Sequence, residues 1–415
     1  LVHWLSARDN KHFDERDCRY EDESELRVPR VSSGDARVST ADSFDFAVIG
    51  GGLVGTSLAY GLARRDRRVV VLDEGDDAFR AARGNFGLVW VQSKGYQFAP
   101  YASWTRQSST LWPMLAQSLY AETGVDVQLQ QRGAFHLCFT EADIAERVKR
   151  LEWVRSAIGG DYPFEILKRD ALKARLPQIG PDVFGAAFSP MDGHVNPLKL
   201  LRALHTACQG RGVTMRNGTH VDDIVYDAGR FHLGTKTGEL VANRIVLAAG
   251  LGNCRLAERV GLNAPVRPNR GQVLVTERIA PVLPCATAFV RQTDEGSIQI
   301  GDSMEDVGFD DSTHPDVLKA IAKSAVRQFP FIAKLRLVRA WGALRVMSPD
   351  GYPIYEESTR YPGAFLVTCH SGVTLAGAHA LALTPWLMGE ATLPDIDAFS
   401  GARFAAGKES AAHAH

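Results

Sequence analysis

Three glycines with the spacing that suits a phosphate are the first chemically suggestive feature of this chain. Gly50, Gly52 and Gly55 complete a G-x-G-x-x-G pattern. In such a turn the first glycine allows a sharp bend, the second lets a pyrophosphate approach the backbone, and the third lets a helix pack closely on the preceding strand. The context fits. Residues 46–49 read as a buried strand, 56–64 as a helix with Leu58, Ala59 and Leu62 on one face, and 69–72 as a second strand. That strand runs into Asp73 and Glu74, near the spacing of about 20 residues at which an acid accepts hydrogen bonds from ribose hydroxyls. A dinucleotide site is therefore expected here.

Three other stretches could bring backbone close to a ligand. Arg83, Gly84, Asn85, Phe86, Gly87 and Leu88 place two glycines around an asparagine and an aromatic, which suits a backbone passing something flat or phosphorylated. The apolar run 242–249 ends in the small residues Ala249 and Gly250, so another backbone or a ligand comes near. Ser371, Gly372, Val373 and Thr374 lie between a buried strand (364–368) and a helix pattern (373–389), where free N–H groups could meet an electron-rich atom.

The remaining elements must position these residues. A length of 415 residues allows two domains, each with its own core. Hydrophobic content of 45%, charged content of 23% and a formal net charge of −1 are ordinary for a globular protein and point away from nucleic acid or an anionic membrane as the main partner. No apolar run approaches the roughly 18 residues of a spanning helix. Six scattered cysteines without a C-x-x-C fit a reducing, cytoplasmic setting and argue against a zinc site; no metal ligands are assigned.

Residues 1–43 are charge-rich without sustained periodicity and read as a disordered tail. After the first β-α-β unit, 104–123 carries helix periodicity through Trp104, Leu111, Leu115 and Leu119, with Pro113 expected to kink or divide it. Strands at 133–137 and 184–189, with helices at 141–158 and 170–176, lack a parallel rhythm and suggest a second domain with an antiparallel sheet, in which His136 reads as structural. Asn196 and Pro197 form an N-cap and first position for the helix 198–209. Strands at 213–215, 219–226, 230–235 and 242–249 return to the first domain. The second resumes near Pro265, with strands at 270–276, 289–291 and 297–300, a helix at 315–328, and a strand at 338–347 that puts Trp341 and Arg345 on one face. The fold class is α/β plus α+β: a discontinuous Rossmann-like domain (44–100, 191–264 and 341–403), a mainly antiparallel substrate domain (101–190 and 265–340), and a tail at 404–415.

Read in order, these stretches resemble the D-amino-acid oxidase, glycine oxidase and sarcosine oxidase family of FAD-dependent oxidoreductases. Within it they look like the catalytic flavin subunits of opine oxidases, hydrogen cyanide synthase and hydroxyproline dehydrogenases. The resemblance is carried by GGGLVG at 50–55, VVVLDEG at 69–75, RGNFGLVW at 83–90 and GHVNP at 193–197. It continues in VLAAGLG at 246–252, RPNRGQVLVTE at 267–277, LRVMSPDGYPIY at 344–355 and CHSGVTLA at 369–376. It implies FAD, with its pyrophosphate on Gly50–Gly55, its adenosine ribose at Asp73, and adenine on the Val221 backbone. The segment from Arg83 to Leu88 would pass the isoalloxazine, and the N–H groups from Gly372 to Thr374 would face its N1/O2 edge. Arg345 would grip a substrate carboxylate, so that hydride passes from Cα to flavin N5 and leaves an imine that water hydrolyses.

Some positions depart from the family. No cysteine stands near Arg345 to tether the flavin, so FAD is expected to be non-covalent. Gln299 stands where monomeric sarcosine oxidase has an oxygen-activating lysine, which leans the reading towards a dehydrogenase. His194 is one position off the histidine that tethers a second flavin in heterotetrameric relatives, and is expected to line the pocket or a turn. The resemblance also implies partners, a second nucleotide-binding subunit and an iron–sulfur subunit; this chain lacks cluster cysteines, so any iron–sulfur centre must be on a partner. The leading function is oxidation of the C–N bond of an amino acid or secondary amine, opine-like, sarcosine-like or a D-amino acid. The alternatives are a glycine or D-amino-acid oxidase using O2 directly, and a non-catalytic flavoprotein subunit.

Overall fold

The computed structural model of the chain describes residues 43–75, 81–92, 94–391 and 395–404. The tails expected at 1–43 and 404–415 lie outside the described residues, apart from Ser43 and Phe404. The first strand, Ser43–Ile49, sits inside an eight-stranded sheet, parallel to Val69–Asp73 on one side and Gly238–Leu247 on the other. Thr214–Asn217 extends the sheet beyond the former and Ala364–Thr368 beyond the latter, both parallel. Period-two alternation decides the two faces. Phe46 and Val48 point into a core with the helices Leu53–Ala63, Ala99–Thr123 and Pro197–Gly210, while Ala47 and Ile49 point into a second core. That second core is closed by the meander Val221–Asp227, Arg230–Thr235 and Gly238–Leu247 and by the helix Asn253–Arg259.

The register matters for function. Ile49 pairs with both Leu72 and Leu247, so the turn at Gly50, the acid at Asp73 and the small residues after Leu247 emerge together at the carboxyl ends of three parallel strands. That is where open α/β sheets bind ligands.

Two four-stranded sheets build the other half. Arg267–Arg278 pairs antiparallel with Leu337–Met347 and with Ser297–Ile300, which pairs in turn with Val290–Gln292. Ala134–Cys138, Gly185–Ser189 and Glu165–Lys168 form the second sheet, with Ala286–Thr287 as a short parallel edge. Phe135, Phe188, Leu274, Ile298 and Ile300 share one core with Ile321 of the helix Pro315–Gln328. This half is mainly antiparallel.

Several sequence expectations need correction. Helix Ala99–Thr123 joins the nucleotide half, not the substrate half, because Tyr101, Trp104, Trp112, Leu115 and Leu119 are buried in its core. Pro113 lies inside that helix without dividing it, since its neighbour Trp112 and Leu115 are anchored by packing. The boundary drawn at residue 341 cuts a strand, because Leu337–Met347 belongs whole to the second half. The pattern over 373–389 resolves into two short helices, Ala376–Leu381 and Thr384–Leu387, with Pro385 near the start of the second.

Asn196 caps helix Pro197–Gly210 as its sequence indicates, its side chain accepting from the Lys199 N–H at 3.2 Å. Asn196→Ala is expected to cost about 1 kcal/mol of stability, read by denaturant unfolding.

Candidate active site

A groove runs across the carboxyl ends of the parallel strands. It is lined by Gly50, Gly52, Asp73, Glu74, Asn85, Val221, Ala249, Gly250 and Gly372 from the sequence-derived set. The glycines divide the labour as their spacing suggests. Gly50 has φ +112, and a Cβ there would lie 2.4 Å from the Ala248 carbonyl oxygen. A Cβ on Gly55 would lie 1.9 Å from the Gly50 carbonyl oxygen, so that glycine serves the helix–strand contact. A Cβ on Gly52 would meet only Ala82, at 3.9 Å, and would otherwise project into open groove. No contact among the described residues requires a glycine at 52, and the open space there suits close approach of a ligand.

Asp73 binds the turn itself: its Oδ2 accepts from the Gly51 N–H at 2.6 Å and its Oδ1 from the Gly75 N–H at 3.1 Å. A carboxylate has lone-pair sites beyond those two, so this does not exhaust it. Glu74, more exposed, lies 3.7 Å from His220. His220 also contacts Arg255 at 2.8 Å, and Arg255 reaches the Val221 carbonyl at 3.5 Å. His220 and Arg255 both line the groove and carry no sequence signal that marked them.

Beyond the groove is a chamber, and Ala81, Asn85 and His370 form wall to both. Gly84, Phe86, Leu88, Ser371, Val373, Thr374 and Arg345 line it, with Trp90, Val273 and Phe289 as further apolar wall. The two backbone segments that flank it are held firmly. Trp341 donates to the Gly84 carbonyl at 3.2 Å, Arg291 Nε to the Phe86 carbonyl at 2.6 Å, and the Val195 N–H to the Gly87 carbonyl at 2.8 Å. Ser108 Oγ and Trp112 Nε1 donate to the Thr374 carbonyl at 2.7 and 3.2 Å, and Tyr101 donates to Ser371 Oγ at 2.8 Å. The Leu375 N–H bonds the Ser371 carbonyl at 2.9 Å, so a helical turn starts there; the N–H groups at 372–374 find no acceptor among the described residues.

Arg345 is engaged from below. Its Nη1 donates to Asn269 Oδ1 at 3.1 Å and to the Ser303 carbonyl at 2.8 Å, and its Nη2 pairs with the Asp302 carboxylate. A Cβ on Gly271 would lie 2.3 Å from Nη2, so the guanidinium lies flat against that glycine. Asp302 also lines the chamber, as does Lys94.

Lys94 is 8% exposed, and its amine has no hydrogen-bond partner among the described residues. Burial, then the neighbouring Arg345, pushes its pKa down to about 8. The Lys94 N–H bonds the Val91 carbonyl at 2.9 Å, and the segment before it is pinned by Asp192. Asp192 Oδ1 accepts from the Val91 N–H at 2.5 Å and its Oδ2 from Gln92 Nε2 at 2.7 Å, while burial lifts its own pKa to about 7. Arg147 Nη2 donates to the Gln92 carbonyl at 2.9 Å.

Other assignments change. His136, read as structural, forms chamber wall beside Phe289; burial holds it well below its ordinary pKa, as a neutral imidazole. Gln299 is not chamber wall. It sits opposite Val275 and Arg291, one pair beyond Val273 on the same sheet face. His194 is not wall either: it pairs with Leu88 in a short ribbon, 3.4 Å from Arg291, and burial pushes its pKa down to about 3. It props the segment from behind. Gly87 lies on that same inner side, and Arg83 lines neither space.

Groove and chamber fit FAD. The open face at Gly52, the first-turn N–H groups of the helix Leu53–Ala63 and the two acids suit an adenosine diphosphate, and the aromatic-walled chamber continues from it. Cys369, in the groove wall, has its thiol pushed up to about 12 by burial, which makes it a poor nucleophile and suits a non-covalent cofactor.

This is a flavoenzyme fold, and the chain belongs to the DAO family of FAD-dependent oxidoreductases, whose model matches residues 45–386. It is 44% identical over 361 residues to a subunit of the opine oxidase of Agrobacterium tumefaciens (strain Ach5), covering 87% of this chain and 97% of that protein. It is 28% identical to a subunit of the hydrogen cyanide synthase of Pseudomonas protegens, HcnC, over 87% of this chain and 96% of that one. The crystal structure of glycine oxidase from Geobacillus kaustophilus superposes with a TM-score of 0.80 at 26% identity, covering 86% of this chain and 98% of that one. FAD is the cofactor. No helix among the described residues is long and apolar enough to cross a membrane.

Proposed function

We propose that this chain is the catalytic flavin subunit of an enzyme that oxidises the C–N bond of a carboxylated amine, an opine-like secondary amine before others. The observation that carries this reading is the chamber: a guanidinium set flat against Gly271, in an apolar space continuous with the FAD groove. The similarity to the opine oxidase protein of Agrobacterium tumefaciens supports the substrate class. Arg345 grips the carboxylate and so orients the substrate's Cα; Phe86, Trp90 and Phe289 keep water from the reacting carbon. The N–H groups at 372–374, without acceptors in the wall, would stabilise the negative charge that gathers on a reduced flavin. FAD, held by the groove residues and the chamber wall, would supply the two-electron acceptor for a hydride from the Cα that Arg345 orients, and water would hydrolyse the resulting imine.

Two similar proteins are named as subunits, which supports an assembly with other subunits; a second nucleotide-binding subunit and an iron–sulfur subunit are the partners proposed from the family resemblance. Five free cysteines among the described residues support a cytoplasmic setting. Gln299 lies outside the chamber and Lys94 brings a cation to it from another segment, so a missing positive charge no longer favours a dehydrogenase. Direct oxidation by O2, as a glycine or D-amino-acid oxidase, is thus the second reading.

The test is turnover of secondary amines, glycine and D-amino acids with an artificial electron acceptor and, separately, with O2 alone. The proposal expects a 2-oxo acid product from a secondary amine with the artificial acceptor. Absence of any carbonyl product from every amine would overturn it. Equal rates with O2 alone would establish the second reading.

A further inference from the structure

We propose that Lys94 is a second carboxylate-binding residue, and that the chamber is built for an amine whose nitrogen lies between two carboxylated arms. The inference rests on the amine-oxidising reading and names its substrate class. Arg345 and Lys94 line one chamber, yet they are bound differently. Arg345 already holds Asp302, Asn269 and the Ser303 carbonyl. Lys94 is nine-tenths buried, lines the same space, and has no partner for its amine among the described residues. A buried ammonium without a partner is costly, and a long side chain free to reach solvent would ordinarily do so. Here the main chain that carries it is held in place: Asp192, Tyr162 and Arg147 fix residues 91 and 92, and the Lys94 N–H is bonded to the Val91 carbonyl.

Charge arithmetic points the same way. With histidines neutral, the formally charged side chains lining the chamber are Arg345 and Lys94, each +1, and Asp302, −1, which leaves +1. An amine with one carboxylate is a net-neutral zwitterion and leaves that charge unanswered. An amine with two carboxylates carries −1 as the ammonium form and brings the chamber to neutrality. Arg345 then takes the carboxylate on the reacting carbon and Lys94 that of the other arm. Asp302 stands beside Arg345 as an acceptor for the nitrogen's proton. Lys94 is thus a specificity residue, acting on the amine through the carboxylate of its second arm.

The experiment compares iminodiacetate with sarcosine as substrates, and thiodiacetate with methylthioacetate as ligands that lack an oxidisable nitrogen, the latter two by perturbation of the flavin spectrum. The FAD-loaded wild type is expected to prefer the dicarboxylate in both pairs. Lys94→Met is expected to lose roughly 100-fold in kcat/KM for iminodiacetate, mainly through KM, and in affinity for thiodiacetate. Sarcosine and methylthioacetate should change by no more than a few-fold. Lys94→Arg should retain the preference. In the wild type the preference should fall as pH rises through about 8, where Lys94 loses its proton. The groups acting on it there are Arg345, Asp302, Cys369 and Asp192. Lys94→Arg should show no such fall, which keeps the proposal testable should Lys94→Met not fold. Equal loss for mono- and dicarboxylates, or no wild-type preference for thiodiacetate, would overturn it. Turnover of sarcosine with no binding of either dicarboxylate would overturn it while leaving amine oxidation standing. If neither amine is oxidised, the thiodiacetate titration still decides the role of Lys94.

Discussion

Arg345→Ala is expected to lower kcat/KM for a carboxylated amine by about 100- to 1000-fold, with most of the loss in KM. The size follows from removing one partner of a buried, hydrogen-bonded charge pair, an effect of about 2–5 kcal/mol, with each 1.4 kcal/mol a factor of ten. Two consequences are combined in the variant. The substrate carboxylate loses its planar fork, and Asp302 is left facing the chamber without its partner, adding repulsion. A purely structural ion pair predicts something different: lower thermal stability and weaker FAD retention, with KM unchanged in the protein that still folds. Steady-state kinetics and a thermal melt on the same preparation separate the two. An unchanged KM sinks the assignment of Arg345 to the substrate.

Gly52→Val is expected to weaken FAD binding by about 100-fold and to leave the apoprotein's fold intact. The branched side chain projects into the groove, where the nearest protein atom to a Cβ is 3.9 Å away, so the protein itself feels no clash. The bound pyrophosphate would, and overpacking of this kind costs about 1–3 kcal/mol. The backbone at Gly52, φ −75 and ψ −174, is accessible to valine. Gly55 could not serve for this purpose, since a Cβ there strikes the Gly50 carbonyl and would disturb the fold with or without cofactor. Fluorescence titration with FAD, together with circular dichroism of the apoprotein, checks both halves. Wild-type affinity in the variant would mean that the pyrophosphate does not pass over Gly52.

Much of the groove was legible because its parts are local. A strand, a glycine turn, a helix and an acid at the end of the next strand lie within one stretch, and parallel pairing brings their ends together by construction. The chamber was legible only where a strand carried the signal, as at Arg345, whose period-two position matches its place. Lys94 and Asp302 sit in irregular segments, and nothing in their neighbours' types marks them. Lys94 reaches the chamber because Asp192, about a hundred residues away in sequence, pins the segment before it. Gln299 and His194 fail for a related reason. Alternation gives the correct sheet face for Gln299, but how far along that face the chamber extends depends on packing between sheets. The division of the last helix was in the sequence: Thr384 and Pro385 mark a restart that the apolar periodicity around them obscured.

The central claim is that a carboxylated amine in the chamber gives up two electrons to FAD. It is tested most directly without oxygen, by adding iminodiacetate, sarcosine, glycine and opines in turn to the FAD-loaded chain and following the visible absorbance of the flavin. The account predicts bleaching by a carboxylated amine, most completely by one with two carboxylates, and recovery of colour when an electron acceptor is added. A protein that binds FAD, stays yellow with every amine, and shows no spectral response to any carboxylate would contradict it.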